Sequence, residues 1–142
     1  HMDLPTASST AEDIENIDLF PYREIMKHEF AQGVWGMVSH ILYSAYDPDF
    51  PATCSPAIIQ GVIRQRLGFD GFLLSDDIVM GALARVGDMA KRTGSALAAG
   101  CDAVLHCNGV LGEMEQIAAG GFSLSADAAR RLHRLTMYRS AV

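Results

Sequence analysis

The sequence predicts an α/β fold, a parallel sheet covered by helices, and three observations carry that reading. Residues 34–43, 71–75 and 103–107 are short apolar runs with the composition of buried strands. Segments with apolar residues at helical spacing lie between and after them. The connections are short, so consecutive strands must run parallel with helices crossing between them.

The elements follow in order. His1-Met2 reads as a cloning scar and is set aside. Ser8, Ser9 and Thr10 precede Ala11-Glu12-Asp13, which places hydroxyl caps before acids in a first helical turn. Ile14, Ile17, Phe20, Ile25 and Met26 form an apolar stripe interrupted at Pro21, read either as two short helices or as one broken helix. The run 34–43 (VWGMVSHILY) is the first strand, and a loop over 45–53 with Pro48 and Pro51 follows it. Ser55 then caps a helix with Pro56 at its first position, where a missing N–H costs nothing. Ile58, Ile59, Val62, Ile63 and Leu67 share one face of that helix, and Gly68 ends it. The second strand, 71–75 (GFLLS), runs directly into Asp76-Asp77. Helix is expected over 80–85 and over 88–99, closing at Gly100. The third strand, 103–107 (AVLHC), leads to Asn108-Gly109, and helices over 111–119 and 125–139 follow, the latter capped by Ser125.

Continuous apolar strands imply a sheet buried on both faces, with Trp35 and Phe72 in the core. So few strands leave both sheet edges open and in need of a cover. A chain of 142 residues is one domain with room for a real core.

Composition narrows the function classes. With 49 % hydrophobic and 20 % charged residues the chain is globular rather than disordered. The net charge of −6 and the absence of a basic cluster argue against nucleic acid as a partner. Arg130, Arg131 and Arg134 read as a solvated helix face. No apolar run approaches the roughly 20 residues of a membrane span. Cys54, Cys101 and Cys107 are an odd count, read as free buried thiols in a reducing cytoplasm. Without paired short Cys or His spacings, no metal site is expected.

In a parallel βα array, ligands sit at the carboxyl ends of the strands. Those ends carry His40 with Tyr43, then Ser75-Asp76-Asp77, then His106 with Asn108. Asp76 is the sharpest candidate: a carboxylate held on a rigid strand end and partly desolvated suits a nucleophile or a general base. Asp77 reads as a helix cap or as a support for Asp76. His40 lies within an apolar strand and is a core histidine as readily as a site residue; His106, beside buried residues, is more readily a core histidine.

Several stretches together carry a family resemblance. They are Gly36-Met37-Val38-Ser39-His40-Ile41, Pro51-Ala52-Thr53-Cys54-Ser55, Leu67-Gly68-Phe69-Asp70-Gly71, and Leu74-Ser75-Asp76-Asp77 with Met80 and Ala82-Leu83. Ala99-Gly100-Cys101-Asp102 and Leu105-His106-Cys107-Asn108-Gly109 continue the series. In this order and spacing they resemble the bacterial β-N-acetylhexosaminidases of glycoside hydrolase family 3. The resemblance implies about the last three βα units of a (β/α)8 TIM barrel, so that residues 3–142 are the C-terminal portion of a barrel domain that takes about 250 residues in full. It further implies a cytoplasmic, retaining exo-β-N-acetylglucosaminidase acting on peptidoglycan fragments, with no metal or cofactor. Asp76 matches the family's nucleophile, and His40, Asp77, Met80, His106 and Asn108 are candidate substrate contacts. The family draws its acid/base from a His–Asp pair on a mobile loop, and its sugar-binding arginine and Lys-His pair from earlier strands. None of those motifs is in this sequence. Because general acid/base catalysis contributes on the order of 10²–10⁴ in rate, the chain alone is expected to have negligible activity. It is also expected to self-associate through its open sheet edges, or to pair with the missing N-terminal part of the barrel. A competing reading of another class is a non-catalytic half-barrel interaction or assembly module.

Overall fold

The computed structural model describes residues 3–139. Its strands are β1 (Thr6–Ala7), β2 (Gly36–Val38), β3 (Leu42–Tyr43), β4 (Leu73–Asp77) and β5 (Ala103–Leu105). Its α-helices are α1 (Ala11–Asp13), α2 (Phe20–Met26), α3 (Met89–Ala99), α4 (Leu111–Ala119) and α5 (Ala126–Arg139). A wider π-helical turn, Ile14–Asp18, continues α1, and the helix Ala57–Arg66 between β3 and β4 is π-wound as well. The main sheet is parallel in the order β2-β4-β5, as the alternation predicts, and β1 pairs with β3 in a second, two-stranded parallel sheet.

The helix caps follow the local chemistry. Thr10 Oγ1 accepts the Asp13 amide, Asp88 Oδ1 the Lys91 amide, and Ser125 Oγ the Ala128 amide. Gly100 ends α3 at φ 120°, a conformation open to glycine and costly to other residues.

Four expectations need correction. The run 34–43 is not one strand but β2 and β3, in different sheets. Between them the carbonyls turn away from any ladder: Ile41 O accepts the Ala52 amide, and Ser39 O faces the Thr53 hydroxyl. The second strand begins and ends two residues later than its apolar run, so both Asp76 and Asp77 belong to β4. Residues 80–85 form only a short 3₁₀ turn, Gly81–Leu83, because the amides of Leu83, Ala84 and Val86 bond to carbonyls three residues back rather than four. The fourth concerns burial. Val38, Leu73, Ile58, Ile59, Ala96 and Ala99 pack as one core between the sheet, the π-helix Ala57–Arg66 and α3. The other face is open, with Met37 62 % exposed and Trp35 45 % exposed, its ring tilted against Phe72 at 5.0 Å. Trp35 is therefore a residue of the open face rather than of the core.

At the N-terminal end of the strands the polar groups form one connected network. Asp102 Oδ2 accepts from Arg64 Nη2 at 2.9 Å and from the Leu73 amide at 2.8 Å, and Oδ1 accepts from Arg131 Nη1 at 2.7 Å. Arg64 also donates to the carbonyls of Phe69 and Gly71. Asp70 receives Arg130, Arg131 and Arg134 together. The arginine cluster of α5 is thus not a solvated face: it clamps α5 to the loops that precede β4 and β5.

All three cysteines are free. Burial pushes the Cys54 thiol up to about 11 and the Cys101 thiol up to about 12, so both are inert. Cys107, expected to be buried, is exposed.

The network gives a graded stability prediction. Asp102→Ala strands the buried Arg64 guanidinium and the Leu73 amide, and removing one partner of a buried pair costs roughly 3–5 kcal/mol. Asp70→Asn acts on a half-exposed ion cluster and is expected to cost about 1 kcal/mol or less at neutral pH. Its effect should also depend on pH. Arg130, followed by Arg134 and Arg131, holds the folded Asp70 carboxyl well below the ordinary carboxylate range. Its contribution is then complete above the unfolded value of about 4 and is lost as pH falls below it. Urea titrations of both variants at pH 7 and pH 3 check this: the Asp70→Asn difference should shrink at pH 3.

Candidate functional site

The C-terminal end of β4 is built around a register slip. Leu74 lies beside Ala103, yet Asp77 lies beside Leu105, so β4 carries one residue more than β5 over that interval. The slip leaves the Leu105 amide to the Ser75 hydroxyl, which accepts it at 3.1 Å and donates to Asp76 O at 2.7 Å. Ser75 is fully buried, so this side chain completes the ladder where the backbone does not.

Asp76 and Asp77 divide the work at the slip. The Asp77 amide donates to Asp76 Oδ1 at 2.7 Å. Asp77 Oδ1 in turn accepts the amides of Val79 at 3.1 Å and Cys107 at 3.2 Å, tying the loop after β4 to the loop after β5. Asp77 is thus a local cap and cross-strand tie. Among the described residues, nothing hydrogen-bonds the second carboxylate oxygen of Asp76 and no basic side chain pairs with it. A half-buried carboxylate in that state is poised to accept a bond rather than to hold the fold.

The other candidates are distributed around this pair. His40 is 3 % exposed, and both of its ring nitrogens are engaged: Nε2 lies 2.9 Å from Asp77 O and Nδ1 lies 2.8 Å from Thr53 Oγ1. Met80 is half-buried, and its carbonyl is one of three, with Ile78 and Val79, that face Arg92 Nη1; Arg92 Nε donates to Gly87 O. His106 and Asn108 meet at Glu113, whose Oε2 lies 3.0 Å from His106 Nε2 and 2.9 Å from Asn108 Nδ2. A carboxylate facing Nε2 accepts, so Nε2 carries the hydrogen, and His106 Nδ1 is left buried without a partner. Donation from Asn108 and then His106 holds the Glu113 carboxyl below its ordinary value.

The structure therefore brings Asp76, Asp77 and Cys107 together, seats His40 beneath them, and draws His106 and Asn108 toward α4. No site role is legible in the sequence for Thr53, Arg92, Cys107 or Glu113. Glu113 alone left a signal, as the acid in the first turn of α4. Among the described residues no group of three His, Cys, Asp or Glu side chains is arranged to hold a metal ion. A cleft of about 650 Å³ lies elsewhere, between β2 and the helical segment 14–26, and Ile14, Ile17, Tyr22, Met26, Met37 and Val38 are among the residues lining it.

Comparison with known proteins points to one family. Residues 1–135 match the Glycosyl hydrolase family 3 N terminal domain. The Beta-hexosaminidase of Shewanella frigidimarina is 38 % identical over 112 residues, covering 79 % of this chain and 32 % of the relative. A glycoside hydrolase family 3 beta-N-acetylglucosaminidase from Paenibacillus sp. str. FPU-7 superimposes with a TM-score of 0.77 at 26 % identity, over 99 % of this chain and 27 % of that one. NagZ from Neisseria gonorrhoeae, solved in complex with N-trifluoroacetyl-D-glucosamine, does so with a TM-score of 0.72 at 26 % identity, over 95 % of this chain and 38 % of that one. The chain spans between about a third and under half of the length of the curated relatives it matches.

The grouping of Cys107 with the two carboxylates has a measurable consequence. Partial desolvation, then the charges of Asp77 and Asp76, push its thiol up from the ordinary value. Since only the thiolate reacts, Asp77→Asn is expected to speed alkylation of Cys107 by iodoacetamide at pH 8 severalfold, by roughly the factor that removing one nearby charge brings. Peptide mass mapping over time reads it, and Cys54 and Cys101 should stay unmodified while the protein is folded.

Proposed function

Because the chain belongs to glycosyl hydrolase family 3, we propose that it carries the nucleophile half of a retaining β-N-acetylglucosaminidase site, with Asp76 as the attacking carboxylate. The observation that carries this reading is the state of Asp76: at a strand end, fixed through one oxygen by the Asp77 amide, and unpaired with any cation among the described residues. In a retaining mechanism such a carboxylate attacks the anomeric carbon, the leaving group departs with its electron pair, and water later releases the glycosyl-enzyme. N-acetylglucosamine as the sugar is supported by the names of the relatives and by the ligand bound to the Neisseria protein. Terminal N-acetylglucosamine of peptidoglycan fragments, cleaved in the cytoplasm, is the finer reading that the family resemblance supports. Buried free thiols accord with a reducing compartment. Met80 and Asn108 retain the exposure needed to touch a sugar; His40 and His106 act from behind the surface.

The acid/base is absent from the sequence, so natural substrates with poor leaving groups should not turn over on this chain. A sugar fluoride needs no protonation of its leaving group. A 5-fluoro-N-acetylglucosaminyl fluoride is therefore expected to label Asp76, read as one adduct by peptide mass spectrometry and abolished in Asp76→Asn. No adduct, or an adduct elsewhere, overturns the nucleophile. Steady turnover of an aryl β-N-acetylglucosaminide by the chain alone overturns the claim that the acid/base is missing.

A second reading, assembly through strand addition, has its own observation. The outer edge of β2 has no strand partner among the described residues, and no charged residue or proline guards Trp35 to Ser39. The apolar cleft is lined by these same residues, Trp35 to Ser39. When the chain is alone, the strand to fill it must come from a second copy. Light scattering should then show mass rising with concentration, and Met37→Lys should suppress the rise; a clean monomer at all concentrations rules the association out.

A further inference from the structure

We propose that His40 is a positioning residue for Asp76, acting through the backbone of Asp77, with Thr53 setting its ring. The inference rests on the assignment of Asp76 as the nucleophile and adds the residue that aims it. His40 follows β2 by two residues, while Asp77 closes β4, so the contact crosses from one strand end to the next. A carbonyl oxygen only accepts hydrogen bonds. The 2.9 Å contact between His40 Nε2 and Asp77 O therefore fixes a hydrogen on Nε2.

The other nitrogen is set by Thr53, which is fully buried. Its single hydroxyl faces His40 Nδ1 at 2.8 Å and the carbonyls of Val38 and Ser39 at 3.1 and 3.0 Å. In a neutral ring Thr53 donates to Nδ1; in a charged ring it turns to a carbonyl and accepts from Nδ1. The Nε2 bond to Asp77 is the same in both states. Thr53 thus holds the ring, the ring holds the Asp77 carbonyl, and the Asp77 amide holds Asp76 Oδ1 at 2.7 Å. Asp77 has a further constraint at its carboxylate, which accepts from Val79 and Cys107. With its carbonyl pinned as well, the residue has little freedom to rotate, and Asp76 inherits that order.

A substrate contact is a poor description of His40. The ring is 3 % exposed, and any bond to a sugar would cost it Asp77 or Thr53. The slip in register gives the anchor something to do. The β5 ladder is irregular between Leu74 and Asp77 and resumes at Asp77 and Leu105, where the Ile78 amide donates to Leu105 O at 2.9 Å. The His40 contact adds a hold on the same strand end from the β2 side.

The test uses the whole chain and two substitutions at one position. His40→Leu keeps the approximate volume and removes the donor. His40→Gln keeps an amide nitrogen where Nε2 lies. Hydrogen exchange of the Asp77 amide, followed by NMR, is expected to quicken about tenfold in His40→Leu and to stay near wild type in His40→Gln. The Leu73 amide, held by Asp102, should be unchanged in both. Labelling of Asp76 by the fluorosugar should slow by about the same factor in His40→Leu and recover in His40→Gln. Equal Asp77 exchange in His40→Leu and wild type overturns the proposal, and so does failure of His40→Gln to restore it. If His40→Leu does not fold, Thr53→Val against Thr53→Ser decides in the same way, the hydroxyl being lost in one and kept in the other. If even wild type resists the fluorosugar, the nucleophile assignment fails by itself, and Asp77 exchange still decides whether His40 anchors the strand end.

Discussion

Asp102 stands immediately before β5 with its side chain 3 % exposed, and its two oxygens join Arg64, Arg131 and the amide of Leu73. A carboxylate taken that far from water is tolerable only when its charge is paired and both oxygens are hydrogen-bonded, and here three donors, two of them cationic, do so. Leu73 opens β4, so these bonds fasten the first residue of one strand to the residue preceding the next. Arg64 extends the fastening to the π-helix, and Arg131 extends it to α5. Register at this end is therefore fixed by charge as well as by the ladder. The irregularity in the β4–β5 pairing is confined to the other end, between Leu74 and Asp77, where the chemistry of the chain collects.

The two ends of the sheet accordingly solve opposite problems. At the N-terminal end every charged group of the network has a partner of opposite sign, and α5 is bound across the loops by arginines. At the C-terminal end the polar groups serve one another in a chain from Thr53 through His40 and Asp77 to Asp76, and the last member is left with capacity to spare. This is the asymmetry expected of a barrel-type sheet, where one face confers stability and the opposite face carries the site.

Much of this was legible where the determinants are local. The helices over 88–99, 111–119 and 125–139 were read within a residue of their bounds, because caps such as Asp88 and Ser125 and a glycine stop such as Gly100 lie inside the segment they control. The strands were less legible. An apolar run over 34–43 does not show that the carbonyls of Ser39 and Ile41 answer to the 51–54 loop, nor that β1 and β3 form a sheet of their own. The arginines of α5 looked solvated because their partner Asp70 lies 60 to 64 residues away in sequence. Trp35 looked like core because hydrophobicity does not reveal which face of a sheet is covered.

The rule that ligands gather at the carboxyl ends of parallel strands supplied the address of the site but not the parts its members play. His40, Asp77, His106, Asn108 and Asp76 all stand at or just beyond such ends. What separates them is what their existing bonds hold. His40 has both nitrogens committed, Asp77 joins two loops through one oxygen, and His106 and Asn108 converge on Glu113. His40 must break a bond before it can touch a ligand, and each broken bond in a buried setting costs about 1–3 kcal/mol. Asp77 keeps its second oxygen, as Asp76 does, but its first ties the loops after β4 and β5 together, whereas the carboxylate of Asp76 meets only the neighbouring Asp77 amide. The bonds that mark His40 and Asp77 as supports therefore converge on Asp76 as the group they support.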